Sequence, residues 1–184
     1  MSTRSEAPIT AMNAAFDHLA EVDPTYQTVD ERKARLTATS RLIARLEADR
    51  IHVLSVSDDI AIETSARSTA HWLADETRDD PGQIRARERV ANSLGTQVSA
   101  ALSQGSLNFA QARVIVEALN RLPDDRDPEL RVKGEAYLVA EAAHFGPRPL
   151  RLLGAKLLQV IAPGPGRHRG VPSTARRGTA GQCR

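Results

Sequence analysis

The stretch that decides the fold class runs from residue 108 to residue 122 and reads NFAQARVIVEALNRL. Its apolar residues recur every three or four positions, which is the spacing of one face of an α-helix. Asn108 stands before them, where its side chain can accept a hydrogen bond from a free amide of the first turn. We therefore predict a capped helix with four inward-facing side chains, Ala112, Ile115, Val116 and Leu119.

Helical spacing continues on both sides of this stretch, and no segment shows the strict alternation of a half-buried strand. The pair Asp80-Pro81 marks a helix start, because Asp caps the first turn and Pro fits the first helical position. One predicted helix stops at Gly105, and Gly146 fits the left-handed position after another. The sequence predicts seven further helices, over residues 9–19, 30–56, 69–77, 81–94, 97–103, 128–144 and 149–161.

The composition agrees with a helical protein. Hydrophobic residues make up 41% of the 184 residues and aromatic residues only 3%, so Leu, Ile, Val and Ala must fill the core. Ala and Leu, together with the abundant Arg and Glu, have high helix propensity. We predict an all-α fold, a multi-helix orthogonal bundle with helix-turn-helix-like pairs and a disordered C-terminal tail.

The chain changes character at Pro163. Residues 163–184 contain five Arg, five Gly and three Pro but no acidic residue, a composition that buries too little apolar surface to offset the entropy of ordering. It also resembles a GC-rich reading frame translated out of register. We predict an N-terminal segment with a short helix over residues 1–28, a helical domain over 29–162 and a disordered tail over 163–184.

The formal net charge of +2 hides an uneven distribution. Without the five tail arginines, 20 basic residues face 23 acidic ones, a net charge of −3. The predicted helical domain is therefore mildly acidic. Any affinity for nucleic acid must come from a local basic patch or from the tail, rather than from the field of the whole surface.

The long helix over residues 30–56 carries an apolar stripe with the spacing of a short heptad seam. Thr39 and Arg50 interrupt the other apolar positions of that repeat. We expect the stripe to be buried inside the chain, and the alternative is that the helix pairs with a second copy of itself. The stripe consists of Leu36, Ile43, Leu46 and Val53.

The sequence offers no catalytic or metal-binding pattern. Cys183 is the only cysteine, so neither a disulfide nor a thiolate metal cluster can form within one chain. The histidines are scattered, and neither a nucleophile elbow nor a phosphate-binding glycine loop is present. The acidic pairs Asp58-Asp59, Asp79-Asp80 and Asp124-Asp125 lie at predicted helix ends, where Asp serves as a cap. We predict no catalytic residue, metal, cofactor or small-molecule substrate.

No signal peptide and no apolar run long enough to span a membrane is visible in the sequence. The lone cysteine also suits a reducing compartment. The sequence therefore predicts a cytoplasmic protein with no membrane contact.

Residues 68–94 predict a helix-turn-helix, with Asp79-Asp80-Pro81-Gly82 as the turn. Trp72 and Leu73 are expected to face the core from the first helix, and Ile84 from the second. The outer face of the second helix would then contact DNA, through phosphates or guanine edges. The alternative is that the helix pair is simply solvated. In that case nearby acidic residues, such as Glu88, balance its charge. The predicted DNA-binding residues are Arg85, Arg89 and Asn92.

Four segments together resemble one family, the actinobacterial 13E12-repeat proteins, built on an N-terminal domain of unknown function numbered 222. The resemblance covers about residues 31–162. Its segments are ARSTAHWLA at 66–74, RARERVANSL at 85–94, FAQARVIVEAL at 109–119 and LPDD at 122–125.

In that family the helical domain usually precedes an HNH endonuclease domain, rich in Cys and His that hold metals. This chain departs from the pattern after Ala162, where it has one Cys, one His and no His-Asn-His arrangement. The resemblance thus implies a non-enzymatic helical domain of a truncated copy, with DNA as the natural partner and no catalytic residue to carry over. The other interpretation is a protein-interaction or oligomerisation module with no role in DNA binding.

Overall fold

A computed structural model of the chain describes residues 4–122 and 128–161. Within these ranges the chain is all-helical, without strands, which confirms the predicted fold class. The tail over 163–184 lies outside the described residues. The helices are α1 (Glu6–Glu21), α2 (Val29–Leu54), α3 (Asp58–Glu63), α4 (Thr69–Thr77), α5 (Pro81–Ala91), α6 (Thr96–Gln104), α7 (Phe109–Leu119), α8 (Pro128–Glu141) and α9 (Pro147–Ile161), with a 3-10 turn at Pro24–Tyr26.

Helix α7 is the centre of the core. It packs against α9, α8, α6, α2 and α5, and the four side chains predicted to face inward are all buried. Its closest neighbour is α9, because a Cβ built on Gly154 would lie only 2.8 Å from the Cβ of Ala118. The absence of a side chain at Gly154 lets the two helices approach each other.

The predicted caps are present. Asn108 accepts from the Gln111 amide at 3.0 Å, and the Gln111 side chain accepts from the Asn108 amide in return, which forms a capping box. Ser68 caps α4, and Asp80 caps α5 with Pro81 at its first position. Helix α6 stops at Gly105, as predicted, and this glycine has a φ of 72°.

The prediction for Gly146 was wrong, since among the described residues Gly105 is the glycine with positive φ. Gly146 directly precedes Pro147, the first residue of α9, and the proline ring restricts the backbone of the residue before it to extended conformations. Two non-glycine residues, Ser65 and Arg78, take the left-handed conformation instead, with φ of 55° and 58°.

Several helix boundaries differ from the prediction by up to three residues: α1 begins at Glu6 instead of residue 9, and α8 ends at Glu141 instead of residue 144. The long helix ends at Leu54 instead of residue 56, and Asp58-Asp59, predicted to close it, open the short helix α3. Carboxylates are favoured in a first turn because they complement the helix dipole. Helix α5 ends at Ala91, three residues before the predicted end at residue 94.

The expected burial of the α2 stripe was wrong. Leu36 is 71% exposed and Ile43 62%, and Leu46 and Val53 are exposed as well. The helix turns a different face to the body and packs on α6 and α5. The four buried residues are spaced three or four positions apart, about one turn, and two of them are alanines, whose small side chains allow close packing. The buried residues of α2 are Ala44, Ala48, Ile51 and Leu54.

A related correction concerns α4. Trp72 and Leu73, predicted to face the core, are only partly buried, whereas Ala70 and Ala74 are buried. Leu73 nevertheless packs against the core, so the contact of α4 with α5 rests on two alanines and Leu73 around Ile84.

The first part of the chain contributes no buried side chain to the core. No residue from 4 to 43 is buried, and the first buried side chain is that of Ala44. We call residues 4–43 the amino-terminal arm. Its helix α1 is fastened by Arg35, whose guanidinium donates to the carbonyls of Leu19 and Val22 at 2.9 and 2.8 Å.

Candidate nucleic-acid interface

The α4–α5 pair has the form of a helix-turn-helix. Three residues connect α4 to α5, and Arg78 in the left-handed conformation makes the turn tight. The Asp80 carboxylate accepts from the amides of Gly82 and Gln83, at 2.5 and 3.1 Å, and so fixes the start of α5. The two helices pack against each other, which holds α5 in one orientation.

Helix α5 buries one side and exposes the other. Its buried residues are Ile84, Ala86, Val90 and Ala91. At about 100° of rotation per residue, the three predicted DNA-binding residues project together from the opposite side. All three are exposed: Arg85, Arg89 and Asn92.

The two arginines of this face form no ion pair with the described residues. Arg85 donates from Nε to the Pro81 carbonyl at 3.2 Å, a contact within its own helix. Among the described residues, no ion pair includes Arg85 or Arg89. The predicted alternative, in which Glu88 balances the charge, has no direct ion pair to support it.

The acidic residues at the start of α5 already make intramolecular contacts. Asp79 pairs with Arg50 of α2 at 3.6 Å, and Asp80 accepts hydrogen bonds as the cap. Their charges are therefore partly compensated at the end of the helix where they would otherwise repel a phosphate.

The third arginine of α5 points inward, which sequence reasoning missed. Arg87 forms an ion pair with Glu47 of α2, and the two side chains are only 19% and 15% exposed. The guanidinium also lies 5.1 Å from the ring centroid of Phe109, at the start of α7, which is within range of a cation–π interaction. This link joins three helices and fixes which side of α5 remains outside.

From its sequence, the segment over residues 98–122 is a second, looser helix pair that we interpret as structural, because its outward face would carry Gln111, Arg113 and Glu117 but no basic cluster. In the structure this segment forms α6 and α7, and Gln111 is buried instead of outward. Its side-chain amide donates to the carbonyls of Ala142 and Phe145, at 2.7 and 2.9 Å, beyond the end of α8. Arg113 and Glu117 form an exposed ion pair at 3.1 Å.

Metal ligation has no geometric support in the part of the chain that the structure describes. Over residues 4–122 and 128–161, no three His, Cys, Asp or Glu side chains gather closely enough to hold an ion. Asp58-Asp59 and Asp79-Asp80 lie at helix starts, while Asp124-Asp125 falls outside the described residues. Across the same ranges, no helix has both the length and the apolar character to cross a membrane.

A family model described as a domain of unknown function, DUF222, matches residues 27–182. The chain belongs to the DUF222 family. No curated protein and no solved structure matches it. The DUF222 match contains α2 to α9 and begins after α1, so this first helix precedes the region that defines the family. It also continues for 20 residues beyond residue 162, where the sequence resemblance was expected to end.

Proposed function

We propose that this DUF222 protein is a non-catalytic helical domain that associates with DNA through the outer face of α5. The observation that carries the proposal is the shared exposure of Arg85, Arg89 and Asn92 on a helix whose other side is buried. An α-helix fits the major groove, where Arg reads guanine edges and also pairs with phosphates.

The internal contacts around α5 support this proposal. The Arg87–Glu47 pair and the Asp80 cap hold the helix from within, so the exposed face need not reorganise to meet DNA. Preorganisation of this kind lowers the entropic cost of binding. The engagement of Asp79 with Arg50 further reduces repulsion of the phosphate backbone.

The resemblance to 13E12-repeat proteins supports the same partner, because an HNH endonuclease acts on DNA. In this proposal the chain is the kind of domain that precedes such a nuclease and contributes DNA association without cleavage chemistry. The five arginines of residues 163–184 would add a contact with phosphates that is independent of sequence.

Fluorescence anisotropy with a labelled duplex tests the proposal across about 50 to 200 mM salt. We expect Arg85→Ala/Arg89→Ala to weaken binding and to lower the slope of log affinity against log salt by about 1.8, because each lost phosphate contact removes about 0.9. The matched control is Arg148→Ala/Arg151→Ala, which removes two exposed arginines of α9 and should leave most of the binding intact.

A second pair of variants separates α5 from the tail. If Arg176→Ala/Arg177→Ala abolishes binding and Arg85→Ala/Arg89→Ala does not, the tail alone binds DNA and the role proposed for α5 is wrong. Cleavage of the duplex by the pure protein with added magnesium or zinc would overturn the non-catalytic part of the proposal.

A further inference from the structure

The amino-terminal arm has more apolar surface than the chain itself covers. Nine of the 18 large apolar side chains that are exposed among the described residues lie in its 40 residues. Helices gain most of their stability from packing an apolar face, and units of roughly 40 residues usually need a staple or a second chain. The arm therefore has the uncovered apolar surface of a segment that packs against a second chain.

Helix α2 shows two apolar sides. One side, with Leu42 and Leu46, lines a groove of about 1240 Å³ whose other walls are formed by Ile9, Met12 and Phe16 of α1 and by part of α6. The next residue, Ile43, is turned about 100° away and lies with Leu36 on a side that nothing covers. In a four-helix bundle each helix packs against two neighbouring helices, and these lie about a right angle apart around its axis.

The charges of the arm indicate which helix covers the open side. Residues 4–24, which contain α1, carry four acidic residues against one basic, a net charge of −3. Residues 29–43, the first part of α2, carry two acidic residues against four basic, a net charge of +2. The first part of α2 therefore complements α1 in charge, and its own α1 faces it across the groove.

We propose that the amino-terminal arm is a dimerisation element whose partner is the same arm of a second copy. Two arms form a four-helix bundle in which α1 of each copy covers Leu36 and Ile43 of the other. The two turns at Pro24–Tyr26 lie at the same end, which brings the acids near the end of α1 beside the bases near the start of α2. Such two-fold pairing is the commonest form of homo-oligomer.

Sedimentation velocity of the full chain tests this proposal over about 1 to 200 µM, the range where a modest helical interface dissociates. We expect a reversible monomer–dimer equilibrium for the wild type and a monomer for Leu36→Glu/Ile43→Glu. The matched control is Leu152→Glu, an exposed leucine of α9 with 67% exposure, which should still dimerise. Because these side chains are exposed, circular dichroism should show unchanged helix content for all variants.

A charge exchange identifies the helices that meet. Chains with Asp17→Lys/Glu21→Lys and chains with Arg32→Glu/Lys33→Glu should each remain monomeric, since like charges then face each other. A one-to-one mixture should form dimers, because each reversed helix meets its complement in the other chain. The proposal is overturned if the wild type stays monomeric, if Leu36→Glu/Ile43→Glu still dimerises, if Leu152→Glu does not, or if the mixture fails to assemble.

Discussion

Arg78 shows what a single residue contributes to the α4–α5 turn. Its φ of 58° is left-handed, a conformation that costs a residue with a Cβ about 1–2 kcal/mol relative to glycine. The side chain is exposed and no contact of the turn depends on it. The tight connection that orients α5 is therefore held against local strain by the packing of the two helices.

We expect Arg78→Gly to stabilise the protein by about 0.5–1 kcal/mol. Glycine relieves the backbone strain, and its greater conformational freedom in the unfolded chain offsets part of that gain. Urea unfolding at constant pH measures this difference. Arg151→Gly, at an exposed position inside α9, is the control and should destabilise by about 1 kcal/mol. A loss of stability in Arg78→Gly would contradict the left-handed assignment.

Residue-level prediction succeeded where one side chain acts on its own helix. Asn108, Ser68 and Asp80 were identified as caps because that preference depends only on nearby backbone amides. It failed at Gln111, whose side chain reaches carbonyls more than 30 positions away. Its place three residues after Asn108 was the available signal, since the capping box uses Gln there.

The start of α2 shows how an element secures its own end. The Thr28 backbone amide and hydroxyl donate to the Glu31 carboxylate at 2.7 and 2.8 Å. Both bonds hold the pKa of Glu31 below its ordinary value, and the bond from the amide has the larger effect. A carboxyl group with a lowered pKa stabilises the folded state above its unfolded pKa, and that stability is lost as the pH falls through the folded pKa.

We therefore expect the first turn of α2 to loosen on acidification below the ordinary glutamate pKa of about 4.3. Carbon-detected NMR titration of Glu31 measures the effect directly. Thr28→Ala should raise the pKa of Glu31 toward its ordinary value, whereas Thr28→Ser, which keeps both donors, should leave it low. An unchanged pKa of Glu31 in Thr28→Ala would show that the hydroxyl makes no contribution.

The Arg87–Glu47 pair connects elements that are 40 residues apart. Because both side chains are largely buried, removal of one partner leaves the other charge poorly solvated. We expect Arg87→Ala or Glu47→Ala to cost about 2–3 kcal/mol, and a double-mutant cycle to show clear coupling. The exposed pair Arg113–Glu117 is the control, with an expected coupling below about 0.5 kcal/mol. Equal coupling in the two cycles would contradict the burial of Arg87.

The presence of the helices could be predicted from the sequence, but the buried faces of two of them could not. Helical spacing located eight of the helices, and only α3, six residues long, was absent from the prediction. The stripe of α2 was assigned to the core because large apolar residues at regular spacing usually are. The structure turns the alanines inward instead, a choice that depends on the neighbours α5 and α6, which one helix alone does not specify.

At the scale of the molecule, stability resides in the body formed around α7, and the arm is attached to it. We expect Ile115→Ala, in the centre of the body, to cost about 2–5 kcal/mol because it leaves a cavity. Leu36→Ala, in the arm, should change stability by less than about 0.5 kcal/mol in dilute protein, where arms are unpaired. Urea unfolding with matched concentrations measures both, and a large loss in Leu36→Ala would show that the arm packs on the body.

The candidate DNA-binding face was predictable to a useful extent. Once Ile84 was taken as inward, the positions of Arg85, Arg89 and Asn92 followed from helical geometry, and the structure exposes all three. The inward turn of Arg87 was not predictable, because its partners Glu47 and Phe109 come from other helices. Whether that face binds DNA remains a prediction for the salt titration.

Helix α6 lacks a side-chain cap of its own, since Gly95 stands at its N-cap. The amides of Gln97 and Val98 are satisfied by the buried carboxylate of Glu135, in α8, at 2.9 and 2.8 Å. During synthesis the ribosome releases Gly95 well before Glu135. Until α8 has emerged, water must satisfy these two amides, so the cap on α6 forms only late in translation.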